Sequence, residues 1–112
     1  MKLSQETLGN ACVLHLKGDL TVDHIDQFQN AVDERLGKQA RDFVIEMTEV
    51  EVVDSKALEA LLKLQESCGE RLGQVRLVGV SANVDQILKI TRLGTQFERV
   101  GSVDEAIKSL RI

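Results

Sequence analysis

Asp54-Ser55 is the place in this 112-residue sequence where residue type and spacing converge on chemistry. Phe43, Val44, Ile45 and Met47 read as a dense β run, an acidic stretch follows, and beyond Ser55 the residues Leu58, Leu61 and Leu62 recur at helical spacing. A hydroxyl is thereby set at a helix start. Unpaired N–H groups and a partial positive charge at that position accept either a serine oxygen as a cap or a phosphate carried on it. Ser55 is therefore read as a structural cap, as a phosphorylatable switch, or as both.

The other reactive side chains point elsewhere. Glu46, Glu49, Glu51 and Asp54 offer the paired carboxylates of acid–base catalysis, but on a strand and the loop after it they read as a solvated acidic rim. A serine hydrolase would need His15 or His24 as the base for Ser55. His15 falls inside a predicted strand, His24 lies near a helix start, and neither belongs to a nucleophile-elbow motif, so both read as structural or surface histidines. Gly69-x-x-x-Gly73 lacks the Gly-Lys-Ser/Thr ending of a phosphate loop and reads as a helix C-terminus. Cys12 and Cys68 belong to no Cys-x-x-Cys or Cys/His cluster and are expected to be buried reduced thiols, with no metal and no cofactor.

Composition narrows the function classes. Acidic residues outnumber basic ones by 18 to 14, there is no basic block, and the aromatic residues are three Phe. Phosphate backbones would be repelled on average and stacking platforms are missing, which argues against nucleic-acid binding. No apolar run approaches the ~18 residues of a membrane span, and Met1 to Asn10 lacks the apolar stretch of a secretion signal, so a cytoplasmic protein is expected.

The elements that would position Ser55 follow from periodicity and glycine punctuation. Leu3 to Leu8 and Cys12 to Leu16 predict a hairpin turning at Gly9-Asn10. After Gly18-Asp19-Leu20-Thr21 a helix presents Ile25, Phe28, Val32 and Leu36 on one face, with Gly37 as its expected C-cap. The Ser55 helix runs to Leu72 and Gly73 breaks it; Val75, Leu77, Val78 and Val80 give a buried strand. A third helix places Val84, Ile87, Leu88 and Thr91 inward and ends at Gly94, Phe97 to Val100 is a short strand, and Val103, Ala106, Ile107 and Leu110 line a last amphipathic helix. The order β-β-α-β-α-β-α-β-α predicts one α/β domain over residues 1–112, a mixed and mostly parallel sheet of about five strands packed against about four helices. In such a sheet the loops after the strands form one edge where partners bind, and Ser55 belongs to that edge.

With these residues in place, the sequence resembles the STAS domain family. The features that carry the resemblance are the element order, Gly18-Asp19-Leu20 before the first helix, Asp54-Ser55-Lys56-Ala57-Leu58 at the start of the second, and Leu88 through Leu93-Gly94 at the end of the third. Lys56-Ala57 stands where the bacterial anti-sigma-factor antagonists usually carry a second Ser or Thr and then Gly, and Thr21 stands where they commonly carry an acid. The resemblance implies a non-enzymatic switch in which Ser55 is the phosphosite. Unphosphorylated, it would bind an ATP-dependent anti-sigma serine kinase and free a sigma factor; a serine phosphatase would reset it. The implied partner surface comprises Asp19, Thr21, Asp23, Asp54, Ser55, Lys56 and Glu59, on a monomer or weak dimer. An alternative within the family is a fixed subunit of a lipid-exporting ABC system or a stressosome-like assembly, with Ser55 only a cap.

Overall fold

A computed structural model of the chain describes residues 1–110. The hairpin forms as expected, with β1 (Lys2–Leu8) antiparallel to β2 (Ala11–Lys17) and Leu8 opposite Ala11. Only Gly9 of the turn pair takes positive φ, at 65°. That single positive φ at the first central residue is the pattern of a II′ turn, whose twist matches the strands it joins.

β3 (Asp42–Glu49), β4 (Val75–Val78) and β5 (Glu98–Val100) then add in parallel, giving a five-stranded sheet in the order β1-β2-β3-β4-β5. The intervening helices are α1 (Ile25–Gly37), α2 (Ser55–Glu70) and α3 (Ala82–Ile90), and α4 (Val103–Ser109) ends the series. Short 3-10 turns at Val22–His24 and Gly94–Gln96 lead into α1 and β5.

Period-2 alternation divides the core between the two faces of the sheet. Leu14, Leu16, Phe43, Ile45, Met47 and Leu77 meet Phe28, Leu61, Leu64 and Leu88 of α1, α2 and α3 on one face. Val13, Val44 and Val78 meet Ala106 of α4 on the other, with Val103, Ile107 and Leu110 packed around them. Because α4 is short and covers the β3–β4 side, the β1–β2 part of that second face stays polar. There His15 lies between Glu6 (Nε2–Oε1 3.1 Å) and Glu46 (Nδ1–Oε2 3.4 Å).

The helix ends correct the glycine reading. The left-handed residues after α1, α2 and α3 are Gln39 (φ 67°), Leu72 (φ 61°) and Arg92 (φ 62°), so Gly37 is the last helical residue and not a left-handed cap. Gly73 answers to backbone crowding instead, whereas Gly94 meets only the end of a flexible side chain. A Cβ on Gly73 would overlap the carbonyl oxygen of Arg41, and one on Gly94 would lie 2.6 Å from an Arg99 guanidinium nitrogen. Thr91 also departs from expectation: it is exposed, and its hydroxyl donates back to the Ile87 carbonyl (2.8 Å), satisfying a helix-end acceptor.

Candidate functional site at the start of α2

Two crossover segments are stitched together at the edge of the sheet where the parallel strands end. After a register shift between His15 and Lys17 the β2–β3 pairing continues beyond the strands, with Gly18 N–H donating to Glu49 O (3.0 Å), Leu20 N–H to Val52 O (3.0 Å), and Leu20 bridging Val53. Leu20, Val50 and Val53 are buried beneath this junction, which fixes the backbone above them. Gly18, at φ 103°, supplies the turn that an L side chain rarely adopts.

Asp54 locks the junction to α2. One carboxylate oxygen accepts the Ala57 N–H at 2.9 Å as an N-cap, and the other accepts the Val22 N–H at 2.8 Å from the opposite segment. The Ala57 N–H holds the Asp54 carboxyl below the usual carboxylate range against the opposing cost of burial, with the Val22 N–H adding to the lowering. The cap is therefore Asp54 and not Ser55. Ser55 is the first helical residue, exposed, and its hydroxyl makes no hydrogen bond among the described residues. The reading of Ser55 as a structural cap is corrected by this geometry, because the preceding carboxylate already fills that role.

The remaining expected residues gather on the same rim. Asp19 and Asp23 are exposed, Thr21 is half-buried as the residue preceding the 3-10 turn, and Lys56 and Glu59 are exposed and paired at 3.5 Å. A shallow groove of about 210 Å³ between α1 and α2 is lined by Ile25, Asp26, Gln29, Lys56, Glu59 and Lys63, so Lys56 and Glu59 face it while Ser55, their neighbour in sequence, is not among its lining residues. The sequence reading missed two apolar members: Val22 and Val52 are 56% and 43% exposed on the facing segments. Val52 carried a signal, since alternation from the buried Val53 turns it outward; Val22, two residues beyond the buried Leu20, carried none, because it opens a 3-10 turn where the strand period no longer applies.

The acidic rim is smaller than expected. Glu49 pairs with Lys17 (3.8 Å) and Glu51 lies near Asn83 (3.4 Å), but Glu46 sits on the second sheet face beside His15. Burial raises the Glu46 carboxyl, and hydrogen bonds from Thr48 and then His15 outweigh it, leaving a net lowering. Neither histidine bonds Ser55: His15 is held by Glu6 and Glu46, while His24 Nδ1 contacts the Asp19 carbonyl (3.1 Å). Among the described residues no three His, Cys, Asp or Glu side chains converge as a metal site, and no helix is long and apolar enough to cross a membrane.

A hairpin-led mixed sheet with three helices on one face, and a helix start presented at the sheet edge, define a STAS-type fold. Residues 3–103 match the family described as "Mlab, STAS domain", and the chain belongs to the STAS domain family. An anti-sigma factor antagonist from Mycobacterium paratuberculosis superposes with a TM-score of 0.86 at 19% identity, over 99% of this chain and 94% of that one. The unphosphorylated Bacillus antagonist SpoIIAA gives 0.79 at 17% identity, over 98% of each chain. A sulfate transporter family protein from Wolinella succinogenes gives 0.73 at 23% identity, over 95% and 88%. At these identities the similarity is one of fold. No curated protein sequence matches the chain.

Proposed function

We propose that this chain is a non-enzymatic, phosphorylation-controlled binding module of the anti-sigma-factor-antagonist kind, acting in the cytoplasm. Its unphosphorylated α2 start docks on an anti-sigma serine kinase, freeing a sigma factor, and phosphorylation of Ser55 releases the complex until a phosphatase resets it. The observation that carries this reading is the exposed Ser55 hydroxyl, unbonded among the described residues beside a cap already supplied by Asp54. Such a hydroxyl is available to a kinase at no structural cost. Phosphorylation adds about −1.5 to −2 charges, which the first turn of α2 accommodates in the free domain. Inside an interface the same charge costs about 2–5 kcal/mol if unpaired, or roughly thirty-fold to a few thousand-fold in affinity. Asp19, Thr21, Asp23, Lys56 and Glu59 form the polar contact around Ser55, and Val22 and Val52 supply its apolar part.

A second reading is a permanently docked STAS subunit of a transporter ATPase or a stressosome-like assembly. The similarity to a sulfate transporter family protein favours it, as does Lys56-Ala57 beside the serine. Affinity purification with the kinase or ATPase encoded beside this chain separates the two. Phosphate transfer from ATP to wild type but not to Ser55→Ala, with loss of the complex on transfer, supports the switch. Stable recovery with a transporter ATPase and no incorporated phosphate overturns it in favour of the subunit.

A further inference from the structure

Away from Ser55, the groove between α3 and the edge strand β5 gathers positive charge on an otherwise acidic chain. A cavity of about 420 Å³ there is lined by Leu88, Lys89, Arg92, Gly94, Thr95 and Arg99. Asp85 is the carboxylate that reaches these cations among the described residues: it pairs with Lys89 at 3.1 Å and with the Arg99 guanidinium. Arg92 has no ion-pair partner among the described residues. Three cations sharing one carboxylate leave about two positive charges facing the groove, although the chain as a whole carries −4.

The arrangement is built and not merely crowded. Arg99 lies on β5 opposite Leu77, so it faces α3, where Asp85 holds its guanidinium. Gly94 completes the slot, since a Cβ at that position would stand 2.6 Å from the Arg99 guanidinium and 3.8 Å from Leu88 Cβ. Arg92 is carried into place by its left-handed backbone, φ 62°, directly after the helix. The volume exceeds what a bare oxyanion fills and falls within the range of roughly 300–1,000 Å³ typical of small-molecule sites. The aliphatic stems of Lys89 and Arg92 offer apolar surface and Thr95 a hydroxyl, above the buried Leu88 at the floor. We propose that the α3–β5 groove binds a small organic phosphate, its anionic group held by Lys89, Arg92 and Arg99 and its apolar part against the side-chain stems of Lys89 and Arg92 and the backbone at Gly94. Guanidinium groups favour phosphate because their planar donor fork matches two of its oxygens.

The test is a backbone-amide NMR titration of the full chain with hexyl phosphate, with hexanol and inorganic phosphate as partial ligands. Saturable shifts at Leu88, Gly94, Thr95 and Arg99 are expected, with hexyl phosphate about tenfold tighter than either partial ligand. Arg92→Gln should weaken binding by about tenfold. Gly94→Ala should do the same by displacing Arg99, while Lys38→Gln, just after α1, leaves it unchanged. Flotation with phosphatidylglycerol vesicles, lost in Arg92→Gln, assigns the phosphate to a lipid headgroup; hexyl phosphate binding without flotation assigns a soluble ligand. Shifts that survive both groove variants overturn the proposal. So does a hexaglutamate peptide that perturbs the same amides at lower concentration than hexyl phosphate, which would make the groove a contact for an acidic protein segment.

Discussion

Asp54 and Ser55 are adjacent, yet only Asp54 caps α2, and stability measurements separate them. Asp54→Ala removes an N-cap bond to Ala57, worth about 1 kcal/mol, together with the bond to Val22 N–H. The second loss is partly recovered from water because Val22 is 56% exposed, so it adds about 0.5–1 kcal/mol. A total near 1.5–2 kcal/mol corresponds to a fall in Tm of roughly 6–12 °C for a domain of this size. Ser55→Ala removes a hydroxyl with no hydrogen bond among the described residues and should stay within about 0.5 kcal/mol of wild type. Ser55→Asp should hold or gain about 0.3–1 kcal/mol, since the first turn of α2 contains no acidic residue to complement its dipole. Thermal melts followed by circular dichroism measure all three.

A pH series sharpens the same test. The folded Asp54 carboxyl titrates below its unfolded value, held there first by the Ala57 N–H and then by the Val22 N–H. Its contribution is therefore complete above the unfolded pKa of about 4 and is lost as pH falls through the folded pKa. The stability gap between wild type and Asp54→Ala should be full at pH 7 and narrow below about pH 4. If Ser55→Ala loses as much as Asp54→Ala, or if the gap is insensitive to acid, the division of labour argued here is wrong.

Five further substitutions and one labelling experiment test other parts of the structure. Gly73→Ala should destabilise by about 2 kcal/mol or more, because its Cβ overlaps the Arg41 carbonyl oxygen, whereas Leu72→Gly should gain up to about 1 kcal/mol by relieving φ 61° at an exposed leucine; denaturant midpoints report both. Burial pushes the Cys68 thiol up to about 11 and raises that of Cys12, so thiol labelling at pH 8 should be negligible in the folded protein and complete on unfolding, as mass spectrometry would show. The Glu46 carboxyl is lowered on balance, so its contribution is present above the unfolded pKa and fades in acid; Glu46→Gln should flatten that part of the stability profile in acid denaturation. Val22→Ser and Val52→Ser should each weaken partner binding about tenfold while leaving the fold intact, and isothermal calorimetry with the kinase would detect it.

Element order, the hairpin and the place of Ser55 at the sheet edge were legible because they rest on local periodicity and turn chemistry. Which of two neighbouring polar residues caps α2 was not legible, since Asp and Ser are equally favoured caps. The answer depends on Val22, 32 residues away, whose N–H gives Asp54 a second reason to occupy the position. The same limit explains Gly37 and Gly73. Composition marks a glycine as a break, but the left-handed residues are Gln39 and Leu72, and Gly73 is needed because Arg41 of the segment preceding β3 comes close. Glu46 was assigned to the rim by its neighbours in sequence, while strand alternation and the His15 pairing put it on the opposite face of the sheet.

The double use of Asp54 also bears on how a modification at Ser55 could act without disturbing the domain. Both carboxylate oxygens are committed to backbone N–H groups, so a phosphate next door competes for neither. It instead meets the N-terminal first turn of α2, with its partial positive charge, and Lys56, whose exposed pairing with Glu59 is worth at most about 1 kcal/mol and is readily exchanged. The free domain thus has donors in reserve for the added charge. A partner seated on Val22 and Val52 would bring apolar surface over the same spot and strip away the water that completes its solvation. On the proposed switch, discrimination between the two phosphorylation states would arise in the complex, so the fold could stay rigid while the affinity changed.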